Sequence, residues 1–103
     1  MNQHANIDRK RISGFCQRWS IAELALFGSI VRDDFRPDSD IDVLLSFTEG
    51  SAHSLFDLAR MKAELEEILG RGVHVLSRRA VEASRNPIRR DSILNSAETV
   101  YAA

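Results

Sequence analysis

Residues 21–47 read IAELALFGSIVRDDFRPDSDIDVLLSF, in which two apolar runs enclose a polar segment. The first run, residues 21–27, is short and almost wholly apolar, which predicts a buried strand. The second, residues 40–47, begins with alternating acidic and apolar residues and ends as an apolar run. This pattern predicts a strand with a polar face at its start. Gly28 follows the first predicted strand and Asp40 opens the second, so residues capable of chemistry lie at the ends of two strands.

Gly28 and Ser29 form the turn at which the first predicted strand ends and a short helix is expected to begin. Free backbone N–H groups and the positive end of a helix dipole at such a turn attract phosphate. Gly28 allows the backbone to approach a phosphate closely, and the Ser29 hydroxyl adds one donor. Arg32, one helical turn later, can reach a phosphate oxygen with its guanidinium. A lone Gly-Ser pair is more often an ordinary turn, so the prediction of a phosphate site depends on its neighbours.

The two aspartates at the start of the second strand, Asp40 and Asp42, are two positions apart and therefore share one face. Two like charges this close repel each other unless a cation lies between them. Hard carboxylate oxygens beside a phosphate favour Mg²⁺ as that cation. An Asp-x-Asp pair alone is usually a polar strand edge. Its occurrence together with the Gly-Ser turn, each at the right end of a predicted strand, favours a site for a triphosphate and its metal.

The periodicity of the remaining sequence alternates between helix and strand. The other predicted elements are three helices and two strands, at residues 12–19, 55–69 and 87–94 and at residues 73–76 and 99–101. This alternation predicts an α+β fold, a small mixed sheet with helices packed mainly on one face. A chain of 103 residues is expected to form one domain, residues 1–103.

Composition limits the class of protein. The chain is 44% hydrophobic and 28% charged, which excludes a disordered or low-complexity protein. Its single cysteine, Cys16, excludes an intramolecular disulfide. No apolar run reaches the ~18 residues that a membrane span needs, and the first residues lack the pattern of a signal peptide. A soluble cytoplasmic protein without membrane contact is expected.

The net charge of −1 is unevenly distributed along the chain. Residues 19–70 contain four basic and eleven acidic residues, whereas residues 1–18 and 71–103 each carry a net charge of +3. A protein that binds nucleic acid by charge alone shows a net basic stripe, so direct nucleic-acid binding is not expected. The acidic centre fits a cation site. The alternative, a solvated helix face, explains the glutamates at residues 64–67 better than the acidic residues at 33–42.

Gly28-Ser29, ten intervening residues and Asp40-Ile41-Asp42, with their apolar flanks, resemble the signature of the minimal nucleotidyltransferases of the DNA polymerase beta superfamily. The resemblance extends over nearly the whole chain. It implies that Gly28 and Ser29 hold the phosphates of ATP and that Asp40 and Asp42 hold Mg²⁺. Many members of this family pair with a helical HEPN-type protein.

Such pairs resemble toxin–antitoxin modules. The resemblance implies that the HEPN protein is the RNase toxin and that the nucleotidyltransferase neutralises it by moving AMP from ATP to a toxin tyrosine. A hetero-oligomer is therefore expected, with a homodimer as the alternative for the chain alone.

The chain departs from the family pattern at two positions. The family usually supplies a third carboxylate from the next strand, where this chain has Val73-His74-Val75. Neutral imidazole is a poor ligand for Mg²⁺ but is acceptable to Mn²⁺ or Zn²⁺. His74 could alternatively act as a general base or have no role. Asp33, where the family commonly has glycine, adds negative charge beside the phosphate turn.

Three functions stay open on the sequence alone. The first is an antitoxin that transfers AMP to a HEPN-type toxin. The second is a catalytically degraded module that neutralises its partner by contact alone. The third is transfer of a nucleotide to a small molecule, which is the weakest because the chain has no second domain to form an acceptor pocket. His74 is the residue that separates the first function from the second.

Overall fold

A computed structural model describes residues 7–28 and 40–103 of the chain. In chain order the elements are α1 (Arg9–Arg18), β1 (Ile21–Phe27), β2 (Ile41–Phe47), α2 (Leu55–Leu69), β3 (Val73–Ser77), α3 (Arg78–Glu82), α4 (Pro87–Ser96) and β4 (Glu98–Ala102). The predicted α+β class is confirmed. The structure adds α3, which the sequence pattern did not predict because five residues are too few to display helical periodicity.

Polar side chains at their first turns fix where the helices begin. The Asp8 side chain accepts a hydrogen bond from the backbone N–H of Arg11 at the start of α1. At the start of α2, Ser54 and Asp57 form a reciprocal capping box, in which each side chain accepts from the backbone N–H of the other. Such caps satisfy N–H groups that have no partner within the helix. Gly70 then ends α2 in the left-handed conformation, with φ of 75°, which glycine adopts without steric cost.

The four strands form one sheet in the order β3-β2-β1-β4. β1 pairs antiparallel with both β2 and β4, whereas β2 and β3 are parallel. β2 is therefore a central strand that begins beside the beginning of β3. Because the acidic pair lies at the start of β2, residues at the start of β3 are its neighbours across the sheet.

Both faces of the sheet carry apolar contacts. The larger core joins α1 and α2 to one face and includes Ile41, Val43 and Leu45 of β2. The smaller core contains Leu44 of β2 together with Val81 of α3 and Ile93 of α4, as well as two residues of β1. α1 and α2 therefore pack on one face, and α3 and α4 cover part of the other, so helices lie on both faces and not mainly on one as predicted. Side chains alternate along a strand, so Asp42 lies on the face of the smaller core.

A polar contact ties α1 to α2 across the larger core. Glu64 of α2 accepts a hydrogen bond from the indole N–H of Trp19 at 3.1 Å and another from the guanidinium of Arg18. Burial alone would raise the pKa of Glu64, but these two donors outweigh it and lower the pKa below its usual value of 4.5. The ionised carboxylate therefore stabilises the pairing of the two helices.

Within residues 7–28 and 40–103, none of the helices has both the length and the apolar character needed to cross a membrane.

Candidate active site

The parallel register of β2 and β3 gathers the predicted site residues. Asp42 of β2 is the direct partner of His74 on β3. Asp40 immediately precedes β2, two positions before Asp42. Since residues two apart share a face of a strand, the two carboxylates and the imidazole lie together at one end of the sheet.

His74 contacts the first of the two carboxylates. Its Nε2 lies 2.8 Å from Oδ2 of Asp40, a distance at which a protonated Nε2 donates to the carboxylate. The His74 and Asp40 side chains are 63% and 47% exposed, respectively, so water screens this pair and it adds little to folding stability. The contact instead restricts the position of the Asp40 carboxylate at the surface of the site.

Two glycines lie against the two carboxylates. A Cβ atom on Gly28 would lie 2.2 Å from Oδ2 of Asp42, and one on Gly72 would lie 2.4 Å from Oδ1 of Asp40. Gly28 also has φ of 78°, a conformation that disfavours other residues. Gly72 is held beside Asp40 because its carbonyl accepts from the N–H of Ile41 at 2.9 Å. Each carboxylate therefore occupies space that any side chain at the neighbouring glycine would fill.

A cavity of about 460 Å³ opens beside this group. Its polar lining comes from Gly28, Asp42 and His74 on the sheet side and from Arg89, Ser92 and Ser96 of α4 on the other. The volume lies in the range of about 300–1,000 Å³ that is typical of small-molecule sites. Of the two carboxylates of Asp40 and Asp42, that of Asp42 lines the cavity.

The carboxylate oxygens of Asp40 and Asp42 are available as metal ligands at this end of the sheet. Within the described ranges, no group of three or more histidine, cysteine, aspartate or glutamate side chains is arranged to hold a metal ion. Asp40 and Asp42 supply the hard oxygens that Mg²⁺ prefers. They could hold one ion that takes its other ligands from phosphate oxygens and water, as Mg²⁺ commonly does in nucleotide sites. The pair therefore fits a metal that arrives with its nucleotide better than a permanently bound one.

Several predicted residues lie outside the part of the chain that the structure describes. Ser29 and Arg32, predicted to bind phosphate, belong to residues 29–39, as does Asp33. The roles of these three residues therefore stay predictions. Gly28, Asp40, Asp42 and His74 lie within the described part, and the fold brings them together at one end of the sheet.

The contribution of α4 to the site was not predicted from the sequence. Arg89, Ser92 and Ser96 follow the i, i+3, i+7 spacing of one helical face, but this spacing is equally typical of a solvated or partner-binding surface. Only the packing of Ile93, which is 8% exposed in the smaller core, shows which face of α4 turns toward the cavity. The sequence around Gly72 likewise carries no motif that indicates a role in the site.

Comparisons with known proteins bear on this arrangement. A family model described as a nucleotidyltransferase domain matches residues 9–99. A candidate protein adenylyltransferase of Methanocaldococcus jannaschii is 38% identical over 92 residues, which cover 89% of this chain and 92% of the relative.

Two solved structures share the fold. A candidate minimal nucleotidyltransferase superposes with a TM-score of 0.70 at 33% identity, and the match covers 95% of each chain. The complex of a tri-AMPylated Shewanella oneidensis HEPN toxin with MNT antitoxin gives a TM-score of 0.64 at 14% identity, covering 98% of this chain and 73% of that chain. At so low an identity the second likeness concerns the fold alone.

Proposed function

The chain belongs to the nucleotidyltransferase domain family, and from this premise we propose that it transfers AMP from ATP to a HEPN-type toxin and thereby neutralises it. Two findings support the choice of a protein acceptor. The relative from Methanocaldococcus jannaschii is a candidate protein adenylyltransferase. The HEPN toxin in the Shewanella oneidensis complex carries AMP and is bound to an MNT antitoxin.

The observation that carries the proposal is the convergence of Gly28, Asp42 and His74 on one cavity, with Asp40 in contact with His74. The sequence pattern predicted a phosphate turn and an acidic pair. The fold brings the described part of that turn and the acidic pair to the same end of the sheet, where a triphosphate and its metal could be bound together.

The proposed reaction is a nucleotidyl transfer. A hydroxyl oxygen of the acceptor, such as that of a tyrosine, bonds to the α-phosphorus of ATP. The bond from that phosphorus to the α,β-bridging oxygen breaks, and pyrophosphate leaves with the bonding electron pair. The hydroxyl proton passes to a base or to water. Catalysis of this kind depends on holding the reacting groups in line and on balancing the charge of the phosphates.

We assign the chain's residues the following parts in this reaction. Gly28 lets the backbone approach the phosphates, and Ser29 and Arg32 donate to them. Asp40 and Asp42 would hold Mg²⁺ or Mn²⁺, which when bound neutralises phosphate charge and lowers the pKa of a coordinated hydroxyl. His74 takes the position of the family's usual third carboxylate and restrains Asp40. It supplies no hard oxygen, so we expect transfer to be slower than with a third carboxylate.

The experiment uses the purified chain and the helical protein encoded beside it, incubated with Mg²⁺ and ATP labelled at either the α- or the γ-phosphate. Transfer of AMP predicts that the partner acquires the α-label and not the γ-label. The double variant Asp40→Asn with Asp42→Asn should abolish labelling, and its thermal unfolding is measured alongside to show that the variant is folded. If the partner acquires no label from either ATP, or acquires the γ-label, the proposal is wrong.

Two observations favour a second candidate, neutralisation by contact alone. The described residues contain no three-membered group of metal ligands, and the Asp40 carboxylate is already engaged by His74. In that case the partner would be neutralised equally by the wild-type chain and by the double variant. The same labelling experiment, combined with an assay of the partner's RNase activity, separates the two functions.

A further inference from the structure

One face of α4 lines the same cavity as Asp42. Arg89, Ser92 and Ser96 all line this cavity, and their spacing places them on one side of the helix. Ile93, between them in sequence, is buried against Leu44 and other residues of the smaller core. Because Ile93 fixes the rotation of α4 about its axis, a cation and two hydroxyl groups are held toward the cavity.

The guanidinium of Arg89 is available for a ligand. Its backbone N–H donates to the Asn86 side chain, but within residues 7–28 and 40–103 its guanidinium takes part in none of the side-chain hydrogen bonds or ion pairs. The adjacent Arg90 differs, because it donates to Asp91 at 3.3 Å and to the carbonyl of Ser84 at 3.5 Å. Arg90 is therefore held by the protein itself, whereas Arg89 lines the cavity without such a restraint.

We propose that Arg89, assisted by the hydroxyl of Ser92, binds the β- and γ-phosphates of ATP. The inference rests on the proposed function, because it assumes that the cavity holds a triphosphate. Gly28 and Asp42 form the sheet wall of the cavity, and the α-phosphate must lie near them for transfer to occur. The outer phosphates then extend toward α4. A guanidinium forms paired, charge-assisted hydrogen bonds with phosphate oxygens, and it would balance the charge that develops on the departing pyrophosphate.

Binding of a protein or small-molecule acceptor would explain the cation and hydroxyl groups of α4 less well than binding of a triphosphate. The group that attacks in the proposed reaction is a hydroxyl that is neutral when it binds, so a cation across the cavity contributes little to its binding. A triphosphate carries several negative charges, and the carboxylates of Asp40 and Asp42 add more to the same region. A guanidinium facing the cavity therefore matches the nucleotide in charge and in hydrogen-bonding geometry.

The test compares the affinities of the full-length chain for Mg-ATP and for AMP by calorimetry. Loss of a charge-assisted contact predicts that Arg89→Ala weakens ATP binding by about tenfold or more, with AMP binding unchanged. Arg89→Lys should recover part of the ATP affinity, because it restores the charge without the planar fork. Arg85→Ala removes the same charge from an exposed residue outside the cavity lining and should leave both affinities unchanged.

Equal ATP affinity in the wild type and Arg89→Ala overturns the inference and leaves the proposed function intact. An equal loss of ATP and AMP affinity also overturns it, since that result places the contact on the α-phosphate or the nucleoside. A wild-type chain that binds no ATP contradicts the proposed function itself, and the inference with it. Thermal unfolding of each variant accompanies the titrations, because a lowered midpoint for Arg89→Ala with lost AMP binding would indicate a structural role instead.

Discussion

Replacing Gly72 with alanine should move one carboxylate of the site while leaving the fold almost unchanged. The new Cβ would lie 2.4 Å from Oδ1 and 3.1 Å from Cγ of Asp40. Ordinary contact between such atoms needs ~3.5 Å, so the carboxylate has to retreat by roughly 1 Å. It can do so by rotating its side chain, because the obstructing atoms are the outer end of an exposed residue. The contact with His74 is then lost.

The expected effects on stability and on activity differ in size. Gly72 does not have a left-handed backbone, and glycine-to-alanine changes at such positions stabilise by about 0.4–1 kcal/mol through the unfolded state. Loss of the exposed contact between Asp40 and His74 costs about 0–1 kcal/mol. The free energy of unfolding should therefore stay within about 1 kcal/mol of wild type. Misplacement of a catalytic group by about 1 Å can lower a rate on the order of 100-fold.

Gly70 provides a matched control two residues away. Its φ is 75°, yet a Cβ there would meet no atom of residues 7–28 or 40–103 within 4 Å. Gly70→Ala should therefore destabilise the fold by about 1–2 kcal/mol, the cost of the left-handed conformation, while AMP transfer by the folded protein stays near wild type. Urea unfolding and the labelling assay measure the two quantities separately. Wild-type transfer by Gly72→Ala would refute the claim that the position of the Asp40 carboxylate matters.

Three further predictions concern other residues. His74→Asp should raise AMP transfer by about an order of magnitude, because it restores a hard oxygen beside the acidic pair; a fall in rate would show that the imidazole has a role of its own. Burial opposes ionisation of Glu64, but the donors Trp19 and Arg18 outweigh it and lower the pKa of Glu64 in the folded state. The stability that Glu64 contributes is therefore fully present above its usual pKa of 4.5. That stability is lost as the pH falls through the lower pKa of the folded state. Urea midpoints should therefore decline between about pH 6 and pH 3 less steeply in Glu64→Gln, and identical slopes would contradict the assignment. Burial raises the pKa of the Cys16 thiol to about 12. An alkylating reagent at mildly alkaline pH should therefore modify Cys16 in the unfolded chain and spare it in the native chain. Equal rates of alkylation in the two states would contradict the buried position.

Local sequence patterns predicted most of the regular structure. The helical spacing of apolar residues placed α2 at residues 55–69, where it is found, because its capping residues and its terminal glycine agree with the apolar period. The edge strand predicted at residues 99–101 is present as β4, Glu98–Ala102. By contrast, α3 depends on a Ser77 side chain that accepts from the N–H of Ala80 and on tertiary packing of Val81, which no periodicity reveals.

The sequence allowed prediction of those site residues that lie together on one strand. Alternation along β2 placed Asp40 and Asp42 on one face without knowledge of the fold. The contact between Asp40 and Gly72 could not be predicted, because it depends on the parallel register that sets the start of β3 beside the start of β2. The place of Arg89 in the cavity likewise depends on how α4 crosses the sheet, and the local sequence does not encode that geometry.

The most direct test of the proposed AMP transfer is the intact mass of the proposed HEPN-type partner, purified from cells that also express this chain. We expect the partner to carry one or more AMP groups when the chain is wild type and none when Asp40 and Asp42 are both replaced by asparagine. We also expect that only the modified partner is inactive as an RNase after it is separated from the chain. An unmodified partner, in cells that the wild-type chain nevertheless protects from the toxin, would contradict AMP transfer and indicate neutralisation by contact alone.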